Sequence, residues 1–338
     1  MEFNGQARSA ETASGKFLAR LGAGLVSLAE RTGGREGATI GHLSGRDHIE
    51  QQGGPAEPVG HSSQEDTDPD RGAVDMAGCP VHGSRIAYAG NVAASIPEGV
   101  RDLLRSPSGA MAAVLGMLVS ETPSTRDAEL QDASNSTGFP VQDLSDAATM
   151  VRSLDRSLLL PALEIALTTI TASDEELREG FAATVNELVD RKGHVDLFRW
   201  LLRRSTQRHL VDAYTPETPQ DAVDQPTLVE HTAVLYGLFA SYNSGGVSEV
   251  HESFAAAYAR SGFEPVEFIR ASSNLTIGRI DRALDVLARL DVASRTAFVE
   301  GALAAVDHDS MASTNEVDLV RVVADVLRVD IPPMVALY

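Results

Sequence analysis

FAATVNELVDRKGHVDLFRWLL, residues 181–202, and FVEGALAAVDHDSMASTNEVDLVRVVADVL, residues 298–327, decide the fold. In each, a Phe stands eight residues before a Val-Asp pair: Phe181 before Val189-Asp190, and Phe298 before Val306-Asp307. A short polar loop follows, and then a second apolar run. That run is Leu197, Phe198, Leu201 and Leu202 in one stretch, and Leu319, Val320, Val323, Val326 and Leu327 in the other. Spacings of three and four put such residues on one face of a helix. Each stretch therefore reads as helix–loop–helix, and the two are related units.

The same pattern extends outward from both units. Ser173-Asp174-Glu175-Glu176, Thr227 to Glu230 and Ser313 to Glu316 carry the S/T-x-x-E spacing of a capping box, which predicts three helix starts. Gly193 predicts the end of the first helix of its unit, and Asp196 can cap the second. Pro97 and Pro107 stand where helices begin. Further helices are expected near 141–156, 158–171, 277–290, 292–306 and 313–328, with Gly245-Gly246 separating two more and Pro332-Pro333 stopping the last. Residues 122–140 read as a polar connector with one short helix. Alternating apolar runs and Asn-Gly or Asp-Gly turns are missing from the sequence, so no strand is expected. The expectation is all-α: a multi-helix bundle or array.

Residues 1–87 differ in kind. Phe17, Leu18, Leu21, Leu25 and Leu28 predict a short amphipathic helix over 14–31. From Gly33 to Arg85 the sequence is rich in Gly, Pro, Asp, Ser and Gln and carries too little apolar surface to offset the entropy of ordering, so disorder is expected. The remainder divides into a first helical unit at 88–214, a Pro-rich linker at 215–226, and a second unit at 227–338 packed on the first.

The chain of 338 residues carries a formal charge of −20 and only two lysines, Lys16 and Lys192. Nucleic acids and anionic membranes are bound by clustered cations, so neither is an expected partner. The single cysteine, Cys79, excludes an internal disulfide framework. The N-terminus lacks the apolar core of a signal peptide, and no run of about 18 apolar residues appears. A cytoplasmic location follows as the expectation, with membrane association only through a partner.

The motifs of chemistry are incomplete. His251-Glu252 begins the zinc-hydrolase H-E-x-x-H pattern, but Ala255 stands where the second imidazole is needed. Cys79-Pro80-Val81-His82 is half of a structural zinc site with no second half. Asp307-His308-Asp309 begins like a calcium loop, and then Met311, Ala312 and Asp318 depart from the EF-hand pattern. Asp307, Asp309 and Glu316 remain candidate ligands for a divalent cation, the alternative being an ordinary interhelical loop. No phosphate-cradling Gly-rich loop and no G-x-S-x-G elbow occur. Glu230-His231 reads as a capping carboxylate beside a surface histidine. Trp200 lies on an apolar helix face, and Arg199, Arg203, Arg204 and Arg208 form a basic stripe beside it. That stripe is either a solvated face or a docking face for an acidic partner.

Five stretches, in order, resemble the C-terminal extension of HtpX-type membrane zinc metallopeptidases, metallopeptidase family forty-eight. They are ATIGHLSGRDHIE at 38–50, YAGNVAASIPEGVRDLLRSPSGAMAAVLGML at 88–118, LLLPALEIALTTI at 158–170, ELVDRKGHVDLFRWLL at 187–202 and AAVDHDSMASTNEVDLVRVVADVLRVDIPP at 304–333. On this resemblance residues 51–87 are an insertion. The acidic helix–loop–helix pairs are also similar, more distantly, to TerB-like helical domains. The family's membrane helices and H-E-x-x-H domain precede this region and have no counterpart here, so its zinc ligands and catalytic Glu map to no residue. Its Asp-Gly loops stand as Lys192-Gly193 and Asp309-Ser310, and its Glu after "DLF" stands as Arg199.

The resemblance implies a non-catalytic accessory or regulatory module, with zinc confined to the missing catalytic domain and no cofactor here. Its partner would be a membrane metallopeptidase or that enzyme's substrate. Two other readings stand beside it: an independent helical scaffold unrelated to proteolysis, and a split or truncated peptidase whose catalytic half is encoded upstream.

Overall fold

A computed structural model describes residues 92–191, 195–214, 223–242, 247–268, 275–308 and 312–331. These residues are all-helical. Twelve α-helices follow one another: α1 (Glu98–Leu104), α2 (Pro107–Leu118), α3 (Pro123–Thr137), α4 (Val141–Arg152), α5 (Arg156–Ile170), α6 (Glu175–Asp190), α7 (Leu197–Gln207), α8 (Gln225–Tyr242), α9 (Val247–Ser261), α10 (Ile277–Leu287), α11 (Val292–Val306) and α12 (Thr314–Val326). A π-helical turn, Arg208–Asp212, prolongs α7. The expected helix at 14–31, the Gly/Pro-rich stretch, Cys79, most of the linker and the tips of both helix–loop–helix units lie outside the described residues.

The helix starts follow capping chemistry, in places one residue away from the expected one. Ser313 and Glu316 form the expected reciprocal box at α12, and Asp196 caps α7 by accepting from the Arg199 amide. The α6 cap is Asp174 rather than Ser173: its carboxylate accepts from the Leu177 amide at 2.9 Å. Asp224, not Thr227, heads α8, accepting from the Thr227 amide at 2.8 Å, so the helix begins inside the expected linker. A carboxylate one residue later at α6 and three residues earlier at α8 satisfies the free amides. The polar connector is mostly helix: α3 runs fifteen residues from a Pro at its first turn to Gly138, which takes φ 79° at its C-cap. Its sequence is polar nearly all round, so periodicity could not reveal it.

One hydrophobic core runs through the described helices. Phe181 and Phe298, the matching aromatics of the two related units, are both fully buried. The units meet through their second helices, because α7 packs on α12. Within the first half α2 packs against α4 and α5, and Gly116 brings α2 onto the α4 backbone: a Cβ there would stand 2.8 Å from the Ala148 backbone. In the second half α9 packs along α11, with α8 against both. Gly301 permits that contact, since a Cβ would stand 2.7 Å from the Ala257 carbonyl oxygen. Tyr236 stacks on Phe298 with centroids 4.7 Å apart and donates its hydroxyl to the Phe298 carbonyl at 3.1 Å.

Candidate functional site

The arginine stripe of α7 turns inward: Arg203, Arg204 and Arg208 meet acceptors on α10 and α12, and Arg199 stays with its own half. Arg203 pairs with Asp190 at 3.0 Å and also with Asp281 of α10. Arg204 reaches Asp285 at 2.6 Å and Asp281 at 3.7 Å. Trp200, buried, donates its indole N–H to Asp281 at 2.8 Å. Asp281 thus accepts hydrogen bonds from Trp200 and Arg203, with Arg204 at ion-pair distance. Arg208 donates Nε to the Asp325 carbonyl of α12 at 3.0 Å. Arg199 donates Nε to the Leu118 carbonyl at 3.1 Å and approaches Asp196 at 3.4 Å. Arg203, Arg204 and Arg208 of the stripe, read as either a solvated or a docking face, thus join α7 to α10 and α12. Long guanidinium stems lie over the core and their heads find acid across the gap.

The joint leaves a cleft of about 380 Å³ lined by Asn186, Arg203, Arg204, Gln207, Asp212, Asp281 and Asp285. Three carboxylates face two guanidiniums there, and Asp190, largely exposed, adds a fourth at the rim. Both arginines already have acidic partners, so the cleft presents acid outward. The π-helical turn contributes by carrying Asp212 back to Gln207, whose amide donates to it at 3.0 Å. Wide turns of this kind re-aim side chains that a regular helix would direct elsewhere. A second, smaller concavity of about 200 Å³ lies between α2, α3 and α6, with Leu115, Leu118, Val119, Ala133 and Leu188 as apolar lining.

A further ionic cluster ties α5 and the π-helical turn to α12. Arg156 donates to Asp318 at 2.6 Å, Arg321 bridges both oxygens of Glu164 at 2.8 Å, and His209 Nε2 lies 2.9 Å from an Asp325 carboxylate oxygen. Burial pushes the Glu164 carboxyl up, against the pull of Arg321. Burial likewise raises Asp318, against Arg156. The hydrogen bond to Asp325 raises His209, with burial opposing it.

Of the candidate cation ligands, Asp307 and Glu316 are among the described residues. Asp309 lies outside the described residues. Glu316 is buried and uses Oε2 on the Ser313 amide at 2.8 Å and hydroxyl at 2.7 Å, so it serves the helix start. His308, beside Asp307, approaches Glu252 at 3.4 Å. Among the described residues no three His, Cys, Asp or Glu side chains are grouped to hold a metal ion. His231, expected at the surface, is buried on α8, while Glu230 pairs with Arg279 at 3.6 Å. No described helix is long and apolar enough to cross a membrane.

The sequence reading named the arginines and missed their partners. Asp281 and Asp285 stand four residues apart on α10, a spacing that reads as a solvated helix edge. Only the docking of α10 beside α7 converts that edge into a binding wall. No protein-family model, no curated protein and no solved structure matches this chain.

Proposed function

We propose that this chain is a non-catalytic helical accessory module that holds a partner protein at the acid-lined cleft between its halves. The observation that carries this reading is the composition of the cleft. Asp190, Asp212, Asp281 and Asp285 exceed Arg203 and Arg204 in charge, and both arginines are already paired. A surface with surplus acid around a polar floor fits a partner segment bearing Lys or Arg beside hydrogen-bonding groups. The resemblance to the C-terminal extension of HtpX-type metallopeptidases supplies the candidate: a membrane metallopeptidase or the substrate it handles. Formal charge of −20 favours the same sign of partner through long-range attraction.

The test is binding of the purified chain to a detergent-solubilised HtpX-type peptidase, with and without the double substitution Asp212→Lys/Asp285→Lys. The expected result is saturable binding, weakened at least tenfold by the substitutions while helical circular dichroism is unchanged. Binding that survives the charge reversal would move the contact elsewhere on the surface. No binding to the peptidase, alone or with substrate, would leave the independent-scaffold reading in its place.

A further inference from the structure

Helix α10 has two charged edges of opposite sign. Asp281 and Asp285 form the one that meets α7. At 100° per residue, Arg279 and Arg282 fall along the next edge, and Arg289 stands in the turn that follows the helix. Arg279 pairs with Glu230. Arg282 and Arg289 are exposed, and among the described residues no ion pair or side-chain hydrogen bond engages either guanidinium. That contrasts with α7, where Arg199, Arg203, Arg204 and Arg208 all have acidic or carbonyl partners. Beside this edge His231 is buried, with Nδ1 sealed from solvent and without a hydrogen-bond partner. Burial pushes the imidazole below its ordinary range, Glu230 pulls it back, and Arg282, Arg279 and Arg289 push it down again. Three arginines and one glutamate therefore surround the histidine.

We propose that this basic edge of α10 is the docking surface for the chain's own acidic run Glu65-Asp66-Thr67-Asp68-Pro69-Asp70. That run places four carboxylates within six residues, with no cation before Arg71. Charge complementarity selects it over a generic acidic peptide because it is tethered. The roughly 20 residues from Arg71 to Asn91 span at most about 70 Å. A body of this size has a radius of gyration of about 17 Å, so the run can reach any face. Tethering supplies an effective concentration on the order of millimolar. A contact too weak to form between separate molecules is then populated within one. Docking there would lay the acidic run beside α10 while leaving Asp281 and Asp285 to the cleft. The two charged edges would thus serve two different occupants.

The chain supplies its own reporters. Trp200 is the only tryptophan and hydrogen-bonds Asp281, next to Arg282; Cys79 is the only cysteine and lies nine residues after Asp70. An acceptor dye on Cys79 of the full chain reads the approach of the run to α10 by energy transfer from Trp200. At low ionic strength transfer is expected to be high. It should fall at least about twofold in 0.5 M salt, where charges are screened within a few ångströms. The same fall is expected in Arg282→Glu/Arg289→Glu and, independently, in Glu65→Gln/Asp66→Asn/Asp68→Asn/Asp70→Asn, which leaves the described helices untouched. Combining Arg282→Glu/Arg289→Glu with Glu65→Arg/Asp66→Arg/Asp68→Arg should restore transfer at unchanged circular dichroism. Transfer indifferent to salt and to the neutralised run overturns the proposal. So does transfer that rises with protein concentration, which would assign the contact to a second copy. An added Glu-rich peptide that binds without altering transfer overturns it as well.

Discussion

Two interfaces of this molecule are built from opposite materials. The seam among α8, α9 and α11 is aromatic and close: Tyr236 stacks on Phe298, Tyr258 meets Tyr236 edge-on at 5.1 Å, and Gly301 lets the helix backbones approach. The joint of α7 with α10 and α12 is ionic and open, with arginines spanning a cleft to carboxylates. Apolar burial is non-directional and strong in sum, so the seam supplies stability. Ion pairs near solvent add little net energy but punish misplacement, so the joint supplies register between the halves. A binding cleft belongs at the second kind of interface, where polar groups are already aligned and water still enters.

The largest test of that contrast is in the seam. Phe298→Ala removes a fully buried ring and should cost about 3–5 kcal/mol in denaturant unfolding. It should leave the cleft geometry intact while the protein remains folded. A cost under about 1 kcal/mol would mean that the seam does not hold the second half together. At the joint, Asp281→Ala strips the acceptor from Trp200, Arg203 and Arg204. Because Asp281 is partly exposed, the expected cost is about 2 kcal/mol, and Asp281→Asn should recover part of it by keeping an oxygen for the indole. Equal losses for Asp281→Ala and Phe298→Ala would erase the distinction drawn between the two interfaces. Ser313→Ala removes one arm of the capping box at α12 and should cost about 1 kcal/mol, measurable as a drop in Tm.

The smallest effect is in pH. His209 is raised by Asp325, so its contribution to stability is complete below the unfolded histidine range and fades as pH rises through the higher folded value. Glu164 and Asp318 are raised as well, by burial, so ionising them with rising pH also works against the folded state, beginning in the acid range. Through His209, thermal unfolding should therefore be modestly higher at pH 6 than at pH 8, with buried His231, held down, acting in the opposite sense. His209→Gln should flatten that difference while leaving Glu164 and Asp318 to act below pH 6. An undiminished difference in the variant would remove His209 from the joint's pH response.

Capping chemistry shows how far local reading carries. The Ser313 box and the Asp196 cap sit where the spacing predicts, because a cap bonds its own first turn and nothing distant intervenes. Asp174 and Asp224 displaced the expected Ser173 and Thr227, since neighbouring oxygens competed for the same amides. The helix expected in the 122–140 connector is longer than predicted, because a polar helix has no apolar period to mark its length.

The candidate site was half legible. Arg203 and Arg204 stand out in the sequence, but whether a guanidinium faces water or an aspartate 78 or 81 residues away is not a local property.

By itself, then, the sequence determined the helices of both helix–loop–helix units, because apolar spacing of three and four residues fixes a helix and its inner face. Tertiary structure alone decided that the arginine stripe of α7 would be consumed internally, that His231 would be buried, and that acid would line the cleft. Those outcomes depend on which helix faces meet. Pairing of charges across helices is settled by packing, after the local pattern has said all it can.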